Sequence, residues 1–166
     1  KRFPVKKGNI LLYIGVAAGT TASHLSDIIG PEGRLYGVDF AERAVRDLVN
    51  NLCNYRSNIF PMLADARLPE TYKMLVEKVD YIYCDVAQPE QAKILADNTD
   101  IYLKPDGKTI LLIKARSIDV TKNPADIFKK EIKVLEARCL KKIESVDIEP
   151  YDKAHSLILS EHCNTP

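Results

Sequence analysis

Short apolar runs alternate with amphipathic stretches along the chain, which predicts strands and helices in alternation. The first run, Ile10–Ile14, is continuously apolar and ends at Gly15, as expected of a parallel strand that is buried on both faces. The next stretch, Thr20–Ile29, has its apolar residues at helical spacing and is followed by a Gly-Pro pair, so it predicts a helix. This strand–turn–helix unit sets the pattern for the rest of the chain.

The same pattern continues through the remaining sequence. Further strands are predicted at Leu35–Phe40, Asn58–Leu63, Tyr81–Asp85 and Thr109–Ala115, near Ile143–Ile148, and at Ser156–Leu159. Further helices are predicted at Arg43–Leu52, from near Pro89, and from Asn123 to about Leu140, with a turn at Lys104–Gly107. Pro61 in the third strand indicates an edge position or a bend. The sum is an α/β fold of about seven strands in one domain.

The composition is that of an ordinary globular protein. Its 166 residues include 24 Lys and Arg against 23 Asp and Glu, and the formal net charge of +1 excludes a strongly basic nucleic-acid-binding protein on bulk charge alone. The apolar runs fall far short of the roughly 20 residues of a membrane span, so we expect no membrane partner. The four cysteines are scattered, and we therefore expect no metal site, no disulfide framework and a reducing intracellular compartment.

The turn after the first strand and an acid after the second indicate a cofactor site, because ligands of open α/β sheets lie at the carboxyl ends of the strands. Gly15 and Gly19 allow close approach of the backbone, and Asp39 lies 24 residues after Gly15, near the offset of an acid that binds ribose hydroxyls. The turn is neither G-x-G-x-x-G nor a P-loop. An adenosyl cofactor without phosphates, such as S-adenosylmethionine, fits this pattern. The alternative is a plain strand–turn–helix with an N-capping Thr.

Two more acids follow predicted strands. Asp65 comes after the third strand and would accept the adenine amino group, and Asp85 ends the fourth strand, near the centre of the sheet, where the reactive end of a cofactor would point. A single Asp at a strand end is more often a helix cap or a turn former. Three in succession, each after an apolar strand, favour a binding site.

Blocks in these regions follow one another in the order of a known family. They are Leu12–His24, Gly30–Gly33, Asp85–Pro89, Ile113–Asp119 and Glu149–His155. Over roughly residues 5–161, the chain resembles the fibrillarin family. The resemblance implies a class I, Rossmann-like methyltransferase fold with a seven-stranded, mostly parallel sheet and helices on both faces. It also implies S-adenosylmethionine as the methyl donor and guide-RNA-directed methylation of ribose 2′-hydroxyls in rRNA and tRNA.

The resemblance assigns a cofactor site residue by residue. Thr20 and Thr21 would contact the methionine part, Asp39 and Phe40 the ribose and adenine, Asp65 and Ala66 the adenine edge, and the segment from Asp85 the methyl end. The full expected set is Gly15, Ala17, Gly19, Thr20, Thr21, Asp39, Phe40, Asp65, Ala66, Asp85, Val86, Ala87 and Gln88. The family usually has Glu at position 39, Ser at 18 and Ala at 16, and these departures remove no essential group.

Asp85, Lys114 and His155 match three members of the family's catalytic set of two lysines, an aspartate and a fourth polar residue. Lys114 follows four apolar residues, and a partly desolvated Lys there would have a lowered pKa and accept the hydroxyl proton when neutral. Asp85 would orient Lys114, and His155 would position the ribose or the lysine. A snorkelling Lys and a structural His are the alternatives.

The family's other lysine lies in a helix before the first strand, and Lys1, Lys6 and Lys7 do not match its motif. The family's small N-terminal domain is not found either. We therefore expect residues 1–166 to be the methyltransferase domain, and we favour a fragment over a protein that has lost part of its site.

Arg116, two residues after Lys114, is predicted to contact a phosphate of the target RNA. The implied partners are a box C/D guide RNA with its target rRNA or tRNA, a Nop-type scaffold protein and a kink-turn-binding protein. The location would be the cytoplasm in an archaeon or the nucleolus in a eukaryote. The alternatives are a catalytically impaired structural subunit of the same particle, or a small-molecule methyltransferase or nucleotide-dependent oxidoreductase that shares only the fold.

Overall fold

One sheet of seven strands organises the computed structural model, which describes residues 3–148 and 155–163. The strands are β1 (Ile10–Ile14), β2 (Arg34–Asp39), β3 (Ile59–Leu63), β4 (Val79–Cys84), β5 (Leu103–Lys114), β6 (Leu140–Asp147) and β7 (His155–His162). Their order in the sheet is β3-β2-β1-β4-β5-β7-β6. Strands β1 to β5 pair in parallel, and β7 is antiparallel to β5 and to β6. The predicted seven-stranded, mostly parallel sheet is confirmed.

Helices connect the parallel strands. They are α1 (Thr20–Ile29), α2 (Glu42–Leu48) with a π-helical continuation (Val49–Cys53), a 3₁₀ turn (Pro69–Tyr72), α3 (Gln91–Tyr102), α4 (Ala115–Ile118) and α5 (Pro124–Ala137). None of the helices formed by the described residues is both long enough and apolar enough to span a bilayer.

The apolar character of β1 follows from helices on both faces of the sheet. Leu12 and Ile14 pack in one cluster with residues of α3 and α5, whereas Leu11 and Tyr13 pack in a second cluster with residues of α1. Successive side chains of a strand point to opposite faces, so a strand covered on both sides needs apolar residues at every position. The predicted helices on both faces are therefore confirmed, and Ile10 is the only half-buried residue of the strand.

Most predicted elements agree with the structure within a few residues, and two predictions need correction. Lys104–Gly107, predicted to be a separate turn, lies within β5 as a bulge, because the pairing moves from Val79 with Leu103 to Tyr81 with Lys108. Ala115, predicted to end the fifth strand, instead begins the short helix α4. The edge position indicated by Pro61 is confirmed, since β3 is the outermost strand on its side.

The strand order creates a switch point between β1 and β4. The chain leaves β1 towards β2 and β3 on one side, whereas β4 and β5 lie on the other. Connections that diverge in this way leave a crevice at the carboxyl ends of the two central strands, and ligands of doubly wound sheets bind there.

At the opposite end of the sheet, where the parallel strands begin, Asp80 of β4 binds residues at the start of β1 and in β5. Its carboxylate accepts hydrogen bonds from the Ile10 N–H at 2.7 Å, from the Asn9 side chain at 3.3 Å and from Lys104 Nζ at 2.5 Å. Burial opposes ionisation of Asp80, but the hydrogen bonds from Lys104 and Ile10 outweigh it and hold the pKa of Asp80 below its ordinary value. The charge of Asp80 thus stabilises the start of β1 and the bulge in β5.

We expect Asp80→Asn to lower the free energy of unfolding at pH 7 by about 1–3 kcal/mol, because the substitution removes a charge-assisted bond to Lys104. A carboxyl whose folded pKa lies below its unfolded value stabilises above the unfolded pKa of about 4, and loses that contribution as pH falls through the folded value. Urea unfolding should therefore show that the difference between the two proteins shrinks below about pH 4. Asp106→Asn, an exposed acid in the same bulge, is the control. A difference that stays constant with pH would contradict the assignment.

Candidate functional site

A cavity of about 280 Å³ opens at the carboxyl ends of β1 to β4, where the strand order reverses. It is lined by Ile14, Gly15, Ala17, Val38, Asp39, Phe40, Ala64, Asp65, Ala66, Arg67, Asp85, Val86, Ala87, Gln88, Ile94 and Lys114. Residues that follow four separate strands therefore meet in one place. Ten of the thirteen residues expected to bind a cofactor are among these lining residues.

The turn after β1 brings the backbone against the end of β4. Gly15 has φ +81°, and a Cβ at this position would lie 2.6 Å from the Asp85 carbonyl oxygen, closer than real Cβ atoms approach. Its N–H donates to the Val38 carbonyl at 2.9 Å, which fixes the start of the turn. Ala17 then adopts φ 49°, an unusual conformation for a residue with a side chain. The turn is thus held in one shape along the edge of the cavity.

Asp39 stabilises this turn from the end of β2. One carboxylate oxygen accepts from the Ala17 N–H at 2.9 Å and the other from the Ala41 N–H at 3.0 Å. The same acid that the sequence assigns to ribose binding therefore shapes the cavity wall, and each oxygen has a further lone pair for a hydroxyl donor. Phe40 beside it is 67% exposed, so its ring is available as an apolar surface for a ligand.

At the end of β3, Arg67 binds Asp65. The Arg67 side chain reaches Asp65 Oδ2 with Nη2 at 2.6 Å and Nε at 3.0 Å, and its backbone N–H donates to Oδ1 at 2.9 Å. Hydrogen bonds from the Arg67 side chain and then its backbone lower the pKa of Asp65. Arg67 was not among the predicted site residues; an Arg two residues after a strand-end Asp is the signal that would have indicated it.

Asp85 and Lys114 form an ion pair at the inner end of the cavity. Lys114 Nζ lies 2.6 Å from Asp85 Oδ1, and only 26% and 16% of the two side chains are exposed. The direction of this contact does not satisfy the geometry of a hydrogen bond. The buried Asp85 Oδ1 therefore keeps a lone pair that can accept a hydrogen bond from another donor. A close, partly desolvated pair of this kind interacts more strongly than a surface pair.

His155 lies beside Lys114 on the neighbouring strand of the sheet. In the antiparallel pairing of β5 with β7, Lys114 lies directly opposite His155. Directly opposite residues carry their side chains on the same face, with Cβ atoms about 5 Å apart. The three predicted catalytic residues therefore come together, although they belong to parts of the chain that are far apart in sequence: Asp85 follows β4, Lys114 ends β5 and His155 begins β7. The rest of the matched block, residues 149–154, lies outside the described residues.

Tyr13, which was not among the predicted site residues, lies near Asp85. Its ring packs edge-on against Tyr83, with ring centroids 4.8 Å apart, and only 2% of the residue is exposed. Its hydroxyl interacts with the side chains of Asp85 and Thr21. Burial, followed by the charge of Asp85, raises the pKa of Tyr13, so the phenol stays neutral and can serve as a donor. No pattern in β1 distinguishes this Tyr from an ordinary core residue.

Three predicted cofactor residues lie beside the cavity rather than on its lining. Gly19, at φ +97°, precedes α1 and faces Leu48 and Leu52, and Thr20 and Thr21 form the first residues of α1. Their position follows from the turn that Gly15 begins. Arg116, on α4, is exposed and donates to the Val120 carbonyl at 3.2 Å.

Comparison with known proteins shows the family of this chain. The model of the Fibrillarin family matches residues 1–164. A protein of Staphylothermus marinus is 52% identical over 159 residues, which are 96% of this chain and 68% of that protein, and one of Aeropyrum pernix is 53% identical over 93% and 66% of the two chains. Both are named fibrillarin-like rRNA/tRNA 2′-O-methyltransferase. The chain thus spans about two thirds of the length of these relatives.

Solved structures of fibrillarins superimpose closely on this chain. The Methanococcus jannaschii fibrillarin pre-rRNA processing protein superimposes with a TM-score of 0.93 at 46% identity, over 98% of this chain and 70% of that one. Aeropyrum pernix fibrillarin with natively bound S-adenosyl-L-methionine gives 0.88 at 52% identity, over 96% and 69%. The fibrillarin of a fibrillarin/Nop5p complex gives 0.91 at 38% identity, over 98% and 76%. The chain belongs to the fibrillarin family.

Proposed function

We propose that this chain is the catalytic domain of a guide-RNA-directed 2′-O-methyltransferase, which transfers a methyl group from S-adenosylmethionine to ribose hydroxyls of rRNA and tRNA. The observation that carries the proposal is the Asp85–Lys114 pair, 2.6 Å apart, at the inner end of a cavity that fits an adenosyl cofactor. The names of the relatives, rRNA/tRNA 2′-O-methyltransferases, support the same reaction.

The residues of the cavity fit S-adenosylmethionine. Gly15 brings the turn against the Asp85 carbonyl, where a Cβ would not fit, and both residues line the cavity. Asp39 provides carboxylate oxygens for ribose hydroxyls, and Asp65 and Ala66 lie where an adenine edge would bind. The turn lacks the Lys-Ser/Thr of a phosphate-binding loop, as suits a cofactor without phosphates. When bound, the sulfonium supplies an already activated methyl group.

Lys114 and Asp85 are assigned the removal of the proton from the ribose hydroxyl. A 2′-hydroxyl is a weak nucleophile at neutral pH, so attack requires in-line positioning and a general base. Lys114 in its neutral form accepts the hydroxyl proton, and the ammonium that results is held by the Asp85 carboxylate. His155, opposite Lys114 in the sheet, orients the ribose or the amine. Burial and the charge of Asp85 raise the pKa of Tyr13, so a neutral phenol lies near the Asp85 carboxylate.

The proposed function includes RNA and protein partners. Arg116 lies on α4, two residues after Lys114, and its exposure supports the proposal that it contacts a phosphate of the target strand. Since the net charge is only +1, sequence selection is assigned to a box C/D guide RNA, held with a kink-turn-binding protein and a Nop-type scaffold. A relative in complex with Nop5p supports the scaffold. We propose an intracellular location, the cytoplasm in an archaeon or the nucleolus in a eukaryote, because the scattered cysteines of the sequence suit a reducing compartment.

Lys114→Met should lower the rate of methyl transfer by a factor of about 10²–10⁴, because the substitution removes the general base and keeps a long side chain. The measurement is single-turnover methylation of target RNA by the protein reconstituted with guide RNA, scaffold and kink-turn-binding protein. Binding of S-adenosylhomocysteine should change by less than about twofold, since Lys114 is assigned no role in holding the cofactor. Lys108→Met, on the same strand but paired with Glu161, is the control. Equal rates for the Lys114 variant and the unsubstituted protein would overturn the proposed function.

Arg116→Ala should weaken binding of target RNA and reduce the slope of log affinity against log salt by about one. The loss should be the same for different target sequences, because a phosphate contact carries no base information. Affinity is measured by titration of the reconstituted particle at several salt concentrations. Arg43→Ala, at a position 87% exposed on α2, is the control and should leave the slope unchanged. An unaltered slope for the Arg116 variant would remove this residue from the interface.

A further inference from the structure

The adenine end of the cavity is built on a segment with little structure of its own. Residues 64–72 follow β3, and the first four of them, residues 64–67, line the cavity. The segment has a single 3₁₀ turn, Pro69–Tyr72, and a hydrogen bond from the Leu68 N–H to the Asp65 carbonyl. A connection of this kind holds a defined shape only if neighbouring elements bind its polar groups.

Asn98 of α3 supplies such support. It is fully buried, and its amide nitrogen donates to the Ala66 carbonyl at 2.8 Å and to the Ile94 carbonyl at 2.8 Å. Its amide oxygen accepts a hydrogen bond from the Tyr72 hydroxyl. Both amide hydrogens and the oxygen are therefore used, and the amide cannot rotate without breaking these bonds. Asn98 joins both ends of the segment to one helix.

Tyr102, one turn later on α3, adds a second support. Its hydroxyl donates to the Pro69 carbonyl at 2.5 Å, and its ring stacks on Tyr72 with centroids 5.3 Å apart and an angle of 5° between the planes. Both rings are almost fully buried. Two residues at i and i+4 thus hold two carbonyls of the same segment from the same side of the helix.

We infer that Asn98 is a positioning residue that sets the specificity of the cavity for the edge of adenine. This inference rests on the proposed function, because it concerns the adenine end of the S-adenosylmethionine site. Asn98 is not on the cavity lining, so it acts through Ala66 rather than by touching the cofactor.

The chemistry of the edge explains why the position of this segment matters. Adenine presents an amino donor and the N1 acceptor. Asp65 presents a carboxylate that Arg67 also binds, and the Ala66 N–H is a donor with no acceptor among the described residues. Hypoxanthine carries a carbonyl and an N1–H at the same places, so its edge reverses both roles. If the segment is held in this position, the cavity should therefore bind S-inosylhomocysteine much more weakly than S-adenosylhomocysteine.

The test is calorimetric titration of the 166-residue chain with these two compounds. Asn98→Ala should weaken S-adenosylhomocysteine about tenfold or more and leave S-inosylhomocysteine within about twofold, so that the ratio of the two affinities falls. Tyr102→Phe, which removes only the Pro69 bond, should lower the ratio less. Thr99→Val is the matched control, because the buried Thr99 hydroxyl bonds within α3, to the Leu95 carbonyl at 2.9 Å. It should cost stability without changing the ratio.

An unchanged ratio in a folded Asn98→Ala protein would overturn the inference, since a merely structural role weakens both compounds equally. If that variant does not fold, as judged by circular dichroism, an unchanged ratio in Tyr102→Phe overturns it instead. Failure of the unsubstituted chain to bind S-adenosylhomocysteine would count against the proposed function itself. The two failures are therefore distinguishable.

Discussion

The close approach of the turn after β1 to the end of β4 is the constraint on which the site depends. Gly15 leaves no room for a Cβ beside the Asp85 carbonyl, and its left-handed conformation turns the chain across the strand ends. From that turn follow the unusual conformation of Ala17, its bond to Asp39, and the start of α1 at Thr20. Any larger residue at position 15 would displace either the cofactor turn or the strand that carries Asp85.

The same approach brings the two halves of the site together. Asp39 and Asp65 follow strands on one side of the switch point, and Asp85 and Lys114 belong to the other side. Each half has its own support: the backbone amides of Ala17 and Ala41 hold Asp39, and the ion pair holds Lys114. In the proposed function, cofactor binding and proton transfer are therefore separate tasks of adjacent strand ends in one sheet.

Much of this arrangement is predictable from the amino-acid sequence because strand ends carry their own signals. An apolar run followed by Gly15, together with acids after later strands, indicates the cofactor edge of the sheet. Lys114 is identifiable because a charge ends an otherwise apolar strand. Support from distant elements has no such signal: Asn98 and Tyr13 look like ordinary helix and strand residues, and only the fold shows what they contact. The bulge at Lys104–Gly107 resembles a separate turn in sequence because Pro and Gly favour both.

The strand-end cavity fits an adenosyl group and has no phosphate-binding loop. Side-by-side calorimetric titrations of the chain with S-adenosylhomocysteine and with NAD distinguish an adenosyl site from a dinucleotide site. We expect saturable one-to-one binding of S-adenosylhomocysteine and no measurable binding of NAD. Binding of NAD without binding of S-adenosylhomocysteine would show that the cavity is a dinucleotide site instead.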